Sequence, residues 1–424
     1  MIDDDALFVL RKLHSAGFSG YLVGGGVRDL YLGKTPKDFD ISTDARPGQI
    51  RRLFTNSRTI GRRFRLVQVF FKRGKIIEVS TLRSLSEHDL DGPEAVLAPN
   101  NTYGTLDQDA QRRDISINGL FYEIENQTLI DYVNGVADLD NSVIRIIGDP
   151  DKRITRDPVR MMRVIRHSTR NNFTIENKSW QALLKNSKDL SLCPASRLRD
   201  EALKDIYSGV SAQWFELAVS SGIFIELFTI YRDILYQPLS DDLTCQEQLS
   251  RLFKTIDKYN NQSVAAGRHR QPDYFILALI LIPWATCNFD LINSRYKGAQ
   301  LFHFASQIRT ALHETIGEQF NLKRSTRQEI LSLLTNLPTL IQQHHQGSWP
   351  KWLKRKSYFS QSSLLYYYFR EALESVPAPE APLATTRLAS PGKANSTRKT
   401  QKSRRKGRPA FTNTKSGGIF GFKR

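Results

Sequence analysis

The sequence predicts an α+β head, then an all-α region, then a disordered basic C-terminus, and three observations predict it. Short apolar runs bounded by glycines and charged turns crowd residues 20 to 82. From about residue 168 to 376 apolar residues recur at helical spacing instead. After Val376 the chain passes through PAPEAPLATT, a proline–alanine linker, into low-complexity sequence in which Arg387 to Arg424 hold twelve Lys or Arg and no Asp or Glu.

Bulk properties narrow the class. A chain of 424 residues has room for two to three domains and an ample core. Net charge of +18 points to a polyanionic partner, nucleic acid first, with an anionic membrane surface as the rival. The tail carries twelve of those charges, which leaves +6 for everything before it. Cys193, Cys245 and Cys287 are far apart and form no C-x-x-C, so neither a structural zinc nor a disulfide framework is suggested, which fits a reducing cytoplasm. The opening MIDDDALFVL has acid where a signal peptide needs base. The most apolar stretch, Tyr274 to Ala285, ends around Pro283 and is too short to span a bilayer, so it reads as a buried helix.

In chain order, residues 3 to 16 read as a helix with Leu7, Leu10 and Leu13 inward and Gly17 closing it. Tyr21 to Val23 is an apolar run that leads into Gly24, Gly25 and Gly26, then a short amphipathic segment with Arg28 and Asp29, then Asp38-Phe39-Asp40. If Phe39 lies in a strand, alternation sends it to the core and both aspartates to the other face, where two like charges can share divalent cations. That is the geometry of two-metal phosphoryl or nucleotidyl transfer. Five other D-x-D pairs exist, at Asp3/Asp5, Asp89/Asp91, Asp107/Asp109, Asp138/Asp140 and Asp149/Asp151, and most of these read as solvated loop charges. The pair at 38 and 40 differs in its hydrophobic centre, its β-branched follower Ile41 and the upstream glycines, whose backbone N–H groups can approach a triphosphate.

Arg46 to Phe54 reads as a helix with Pro47 in its first turn. Phe64 to Phe71 and Lys75 to Leu82 read as a hairpin around Lys-Arg-Gly. Glu78, between Ile77 and Val79, projects from a strand face that could meet Asp38 and Asp40, although a strand glutamate is more often a surface residue. Residues 84 to 105 read as a mobile polar loop beside the site. In QRRDISIN (111 to 118), Arg112 and Arg113 can meet phosphates or a ribose edge, and Asp114 can accept from a 2′-hydroxyl or hold an arginine. Asn118 falls one turn after Asp114 if the stretch is helical. In RDPVRMMRVIR (156 to 166), Asp157, Arg160, Arg163 and Arg166 recur every three residues on one predicted helix face.

LVGGGVRD followed by DFD resembles the head signature of the class II nucleotidyltransferases, the bacterial poly(A) polymerases and CCA-adding enzymes of the DNA polymerase beta-like superfamily. The resemblance runs to about residue 205, through RRD-x-x-x-N, DYVNGVADL, IRIIGDP and the 156 to 166 block. It implies a mixed sheet with helices in a catalytic head (1–140), a helical neck that reads the base (141–210), an all-α body and tail that hold RNA (211–376), and the basic extension (377–424). It implies that Asp38 and Asp40 bind two Mg²⁺ and that Asp114 lies near these catalytic carboxylates. Gly24, Gly25 and Arg28 would hold phosphates, Arg113 and Asn118 would position sugar or phosphate, and Asp157 with Arg160 would select the base. Arg163 and Arg166 would continue toward the triphosphate or RNA.

The base chemistry follows from donors and acceptors. An aspartate accepts from an exocyclic amine and an arginine donates to a ring nitrogen, which suits adenine and equally cytosine. Guanine and uracil would leave groups unpaired, at about 1–3 kcal/mol each. Arg156 departs from the family, which usually has a glutamate there to brace the arginine.

Beyond residue 168 the helical blocks are Arg197 to Tyr207, Trp214 to Phe228, Tyr274 to Ile282, Leu301 to Phe320 and Leu364 to Glu374, with no further catalytic constellation. His344 and His345 read as surface residues, and KWLKRK (351 to 356) as an RNA contact or an ordinary helix end. The leading expectation is a poly(A) polymerase that adds AMP from ATP to RNA 3′ ends. A CCA-adding enzyme is the runner-up, and a non-catalytic RNA-binding protein is the third reading. Arg65 within GRRFRLVQV (61 to 69), where CCA-adding relatives tend to have glycine, and the basic tail both lean to the poly(A) branch. RNA is the expected partner, with RNA-decay proteins as candidates for a second.

Overall fold

The computed structural model describes residues 2–61, 65–84, 102–240, 242–293, 295–344 and 349–374. Most of the expected loop at 84 to 105, Phe64 at the start of the hairpin, His345 and the whole basic tail lie outside the described residues.

Helix α1 (Asp4–Ser15) is capped by the Asp3 carboxylate, which accepts from Asp5 N–H at 2.9 Å, and buries Ala6, Val9, Leu10 and Leu13. It stops where Gly17 takes φ +80°. Strand β1 (Gly20–Val23), α2 (Gly25–Tyr31), β2 (Asp40–Thr43) and α3 (Pro47–Leu53) follow as the patterning predicts. Strand β3 (Ser57–Ile60) has no apolar signal of its own and was not foreseen. Strands β4 (Leu66–Phe70) and β5 (Ile76–Thr81) are the expected hairpin, turning through Lys72–Gly74. After α4 (Leu106–Gln111) come β6 (Phe121–Glu123) and β7 (Thr128–Ile130), completing a seven-stranded sheet in the order β3-β4-β5-β2-β1-β6-β7. All its pairings are antiparallel except β2 with β5. That parallel pair sits at the centre and sets Asp40 beside Glu78.

The head is joined to the rest through α5 (Gly135–Asp140), β8 (Val143–Ile144), α6 (Pro150–Arg156) and α7 (Val159–Asn171), with β9 (Thr174–Ile175) pairing β8. Helices α8 (Asn177–Asn186), α9 (Ala195–Ile206), α10 (Ser211–Ser220) and α11 (Ile223–Leu227) lead to a small ribbon, β10 (Pro238–Ser240) with β11 (Leu243–Thr244). The remainder is α12 (Cys245–Ala265), α13 (Asp273–Phe289), α14 (Ala299–Leu312), α15 (Arg324–Gln343), α16 (Lys351–Lys354) and α17 (Phe359–Glu374). This is the α+β head and helical continuation that the sequence predicts, with two short ribbons, β8–β9 and β10–β11, that it does not. One hydrophobic core runs from Val9 in α1 to Phe369 in α17.

Three readings need correction. The apolar helix α13 does not end around Pro283 but continues to Phe289. Proline removes a helix hydrogen bond and pushes the preceding turn aside, and here the Tyr231 hydroxyl enters the gap, donating to the Ile280 carbonyl and accepting from Trp284 N–H at 3.4 Å. Among the described residues no helix is long and apolar enough to cross a membrane. His344 is not a plain surface residue: its ring packs 4.5 Å from Trp349 and 5.1 Å from Tyr366, with the Tyr366 hydroxyl 3.0 Å from Nδ1. Nor are most of the other D-x-D aspartates loop charges: among the described residues, Asp5, Asp107, Asp109, Asp138, Asp140 and Asp151 lie in helices. Asp3 and Asp149 cap helices, while Asp109 and Asp138 are buried against arginines.

Candidate active site

At the mouth of the central parallel pair, Phe39 is buried while Asp38 and Asp40 are exposed, so the strand alternation already holds one residue before β2 begins. Glu78 stands opposite Asp40 in the register, and its Oε1 accepts from the Gln68 amide at 2.9 Å. Although Asp40 is open to solvent on one side, the protein mass around it, and then the Glu78 and Asp38 charges, push its carboxyl up to about 6 against the pull of Arg113. Clustered hard oxygens of one sign, with a carboxylate that resists ionising, fit a divalent cation such as Mg²⁺.

The glycines matter for what lies against them. Gly24 caps α2 with φ +68°, and a Cβ there would sit 3.5 Å from Arg113 Nη1. A Cβ on Gly26 would come within 3.2 Å of the Asp38 carbonyl, so this glycine lets α2 lie directly on the strand that carries the aspartates. Arg28 is buried behind Gly25. Its Nε and Nη2 donate to Asp29 Oδ1 at 3.0 and 2.7 Å, and its Nη1 donates to Asn118 Oδ1 at 2.7 Å.

Arg113 is held over the Phe121 ring at 4.9 Å and donates from Nε and Nη2 to Asp109 Oδ2 at 3.2 and 3.0 Å. Fully buried Asp109 also accepts from Arg112 Nε at 2.8 Å and from Arg83 N–H at 3.1 Å. It is a residue that sequence reasoning missed. The available signal was its i, i+3 and i, i+4 spacing to Arg112 and Arg113.

Asp114 and Asn118 are not one helical turn apart. Ile115 is extended, with φ −132° and ψ 147°, before a short 3₁₀ turn at Ser116–Asn118. The two side chains therefore have different partners. Asp114 binds Arg163 Nη1 and lies 3.2 Å from Arg160 Nε. Burial would raise it, but Arg163 and Arg160 outweigh this and hold its carboxyl down to about 2.

Asp157 is not on the helix with the arginines but at the break between α6 and α7, with φ −140°. Both oxygens are gripped by Arg197, each at 2.8 Å, and Arg160 Nε lies 3.9 Å away. Arg197, on α9, was not singled out from sequence because nothing in the chain order links it to Asp157. It braces Asp157, while Arg160, which the family glutamate at position 156 would brace, lies 3.2 Å from Asp114 instead. Arg160 Nη1 is buried and makes no hydrogen bond among the described residues.

Arg166 leaves the group altogether. A three-residue step on a helix falls about 60° short of a full turn, so a stripe at that spacing winds off its starting face. Arg166 accordingly turns into α9, where it bonds Asp205 Oδ1 and Glu201 Oε2, the latter at 2.5 Å, in a nearly solvent-free cluster.

A cavity of about 500 Å³ gathers Gly24, Gly25, Asp40, Glu78, Arg113, Asp114, Asn118, Asp157, Arg160 and Arg163 on one wall system, with Arg156 and Arg197 at its margin. Asp38, exposed, and Arg28, behind Gly25, are not among its lining residues, and Arg166 points elsewhere. Another cavity, about 680 Å³ between α1 and β6, offers a His14–Glu125 contact of 2.8 Å but no such convergence of carboxylates, glycines and arginines.

Residues 20–145 match the family model described as the poly A polymerase head domain, and residues 172–234 match that of the probable RNA and SrmB- binding site of polymerase A. Poly(A) polymerase I of Salmonella typhi is 40% identical over 264 residues, 60% of this chain and 56% of that protein. The chain thus spans a little over half the length of the poly(A) polymerase I relatives it matches. The CCA-adding enzyme of Lactobacillus gasseri is 32% identical over 295 residues, 68% of this chain and 72% of that protein. The crystal structure of Bacillus stearothermophilus CCA-adding enzyme in complex with CTP shares the fold, with a TM-score of 0.61 at 23% identity, covering 88% of this chain and 78% of that one.

Proposed function

This chain belongs to the family of bacterial poly(A) polymerases and CCA-adding enzymes, and on that premise we propose that it is an ATP-dependent polynucleotide adenylyltransferase extending RNA 3′ ends without a template. The observation that carries this reading is the single cavity in which strand carboxylates meet a glycine turn and a braced Asp157/Arg160 pair with an unpartnered guanidinium nitrogen.

Asp38 and Asp40, with Glu78 beside them, would hold two Mg²⁺, which when bound activate the RNA hydroxyl and neutralise the triphosphate. The rest is done by the chain. Gly24 and Gly25 offer backbone at the phosphates, and Arg113, fixed by Asp109, puts a cation beside them. Asn118 offers its amide to an oxygen of sugar or phosphate. Asp157 accepts from the adenine amine while Arg160 Nη1 donates to a ring nitrogen, so the buried guanidinium nitrogen gains the partner it lacks. Asp114 acts through Arg160 and Arg163, which it holds. The attacking RNA 3′-oxygen forms a bond to the α-phosphorus as pyrophosphate departs.

The domain division at 140, 210 and 376 stands as part of the proposal, with RNA along the helical region and the basic tail capturing it. The three cysteines are free, which suits work in the cytoplasm. Poly(A) synthesis is preferred because the poly(A) polymerase I relatives reach 40% identity, against 32–36% for the CCA-adding ones. The CCA-adding reading draws on the 72% of the Lactobacillus gasseri enzyme that this chain covers, and the pair of Asp157 with Arg160 suits CTP as well. Purified protein should be given Mg²⁺ and each nucleoside triphosphate singly, with either an unstructured RNA or a tRNA lacking its terminal nucleotides. Long adenylate tails on both RNAs support the proposal. Addition confined to the tRNA and dependent on CTP overturns it in favour of the CCA-adding reading.

A further inference from the structure

His167 takes no part in the site as read so far, yet its place on α7 gives it access to the head. Seven residues advance a helix by nearly two full turns, so His167 falls within about 20° of Arg160, closer to that face than Arg166 does. From there its ring reaches α2 and the 3₁₀ turn: Nδ1 is 3.3 Å from Arg28 Nη1, and Nε2 is 3.4 Å from Asn118 Nδ2.

The hydrogen-bond arithmetic is restrictive. A guanidinium and an amide nitrogen both have donors only, while a neutral imidazole offers a single acceptor; the charged Arg28 donor, at the shorter distance, claims it, so Nδ1 accepts and the ring proton sits on Nε2. Burial, reinforced by Arg28, Arg166 and Arg170, pushes the imidazole down to about 3, which keeps it neutral. Asn118 Oδ1 is committed to Arg28 at 2.7 Å, so the amide nitrogen is the atom facing Nε2–H. Two N–H groups cannot bond to each other. The Asn118 amide protons therefore find no acceptor among the described residues, and Asn118 lines the cavity.

We propose that His167 is a positioning residue for the incoming nucleotide: by accepting from Arg28 through Nδ1 and turning Nε2–H toward Asn118, it keeps the Asn118 oxygen on Arg28 and reserves the amide protons for an acceptor oxygen of the nucleotide. This rests on the reading of the cavity as a nucleotide site. His167 links the neck helix to the phosphate-binding side of the head without touching substrate itself.

The test is Mg²⁺-dependent ATP binding by the full chain, measured by equilibrium dialysis. His167→Phe keeps the ring but loses the acceptor, and should raise Kd about fivefold to tenfold, the scale of one lost hydrogen bond. His167→Asn places an oxygen near the Nδ1 position and should stay within about twofold of wild type. On an Asn118→Ala background, His167→Phe should add less than about twofold, because the two act in series. Unchanged binding in His167→Phe, failure of Asn to rescue, or full additivity in the double variant overturns the proposal. Should His167→Phe not fold, His167→Asn against His167→Gln decides. Gln presents its oxygen toward the Asn118 amide and captures it, so equal affinities for the two overturn the proposal and weaker binding by Gln supports it. Repeating the series with 2′,3′-dideoxy-ATP separates the acceptors: a vanished His167→Phe penalty assigns a ribose hydroxyl, a retained one a phosphate, and either supports the positioning role. Wild-type protein that binds no ATP overturns the nucleotide reading and this inference together, whereas normal wild-type binding with indistinguishable variants overturns this inference alone.

Discussion

Replacing Arg166 with methionine separates the structural arginine from those of the cavity. In the folded chain Arg166 is 8% exposed, and its guanidinium pairs with Asp205, which is fully buried, and Glu201, which is 5% exposed. The two carboxylates repel each other across it. Burial raises both, but Arg166 and Lys204 hold Glu201 down to about 2, while Asp205 is pushed up to about 7. Methionine fills much of the volume but leaves buried charge unpaired, at a cost of about 3–5 kcal/mol. Against a typical total of about 5–15 kcal/mol this is a large fraction. Both carboxylates should then have folded pKa values raised above their unfolded ones. The cost of ionising them is absent below the unfolded values and complete only above the raised folded ones, so the deficit should be larger at pH 8 than at pH 5. Urea unfolding of both proteins at the two pH values measures this, alongside ATP-over-CTP selectivity at a temperature where both are folded. A deficit under about 1 kcal/mol, or altered selectivity with intact stability, would refute the assignment and return Arg166 to the nucleotide site.

The remaining predictions concern the cavity. Arg197→Leu should free Asp157 and lower ATP-over-UTP selectivity by roughly tenfold, the scale of one buried polar contact. Competition assays at fixed RNA would detect it, and unchanged selectivity would show that Asp157 needs no brace. Proton and cation compete for Asp40, whose carboxyl ionises near 6 without metal. The Mg²⁺ concentration for half-maximal addition should therefore be about fourfold higher at pH 5.5 than at 7.5, which is the ratio of ionised fractions. A requirement that falls on acidification would contradict that assignment.

Much of the head was legible because its strands and turns are local. The glycine turn, the hairpin and the burial of Phe39 between exposed aspartates all follow from short-range patterns. The partnership of Asp40 with Glu78 was visible only as an option, since it depends on β5 entering the sheet parallel to β2 and in one register, a choice made by long-range packing. The stripe of 157, 160, 163 and 166 failed in two ways for one reason. Equal spacing predicts one continuous helix face, whereas Pro158 separates Asp157 from the helix and helical drift carries Arg166 away. Asp109 and Arg197 were missed because a buried counter-ion looks no different in sequence from a surface charge.

The central claim is that Asp38 and Asp40 carry the chemistry, and the most direct measurement is nucleotide addition by the Asp40→Ala protein under saturating ATP, RNA and Mg²⁺. The account predicts a loss of at least about a thousandfold, roughly 4 kcal/mol in the barrier. It also predicts that thermal stability without Mg²⁺ at pH 7.5 does not fall, because a carboxylate held near 6 beside Glu78 opposes folding when ionised. Addition within a few-fold of wild type in a folded Asp40→Ala protein would contradict it.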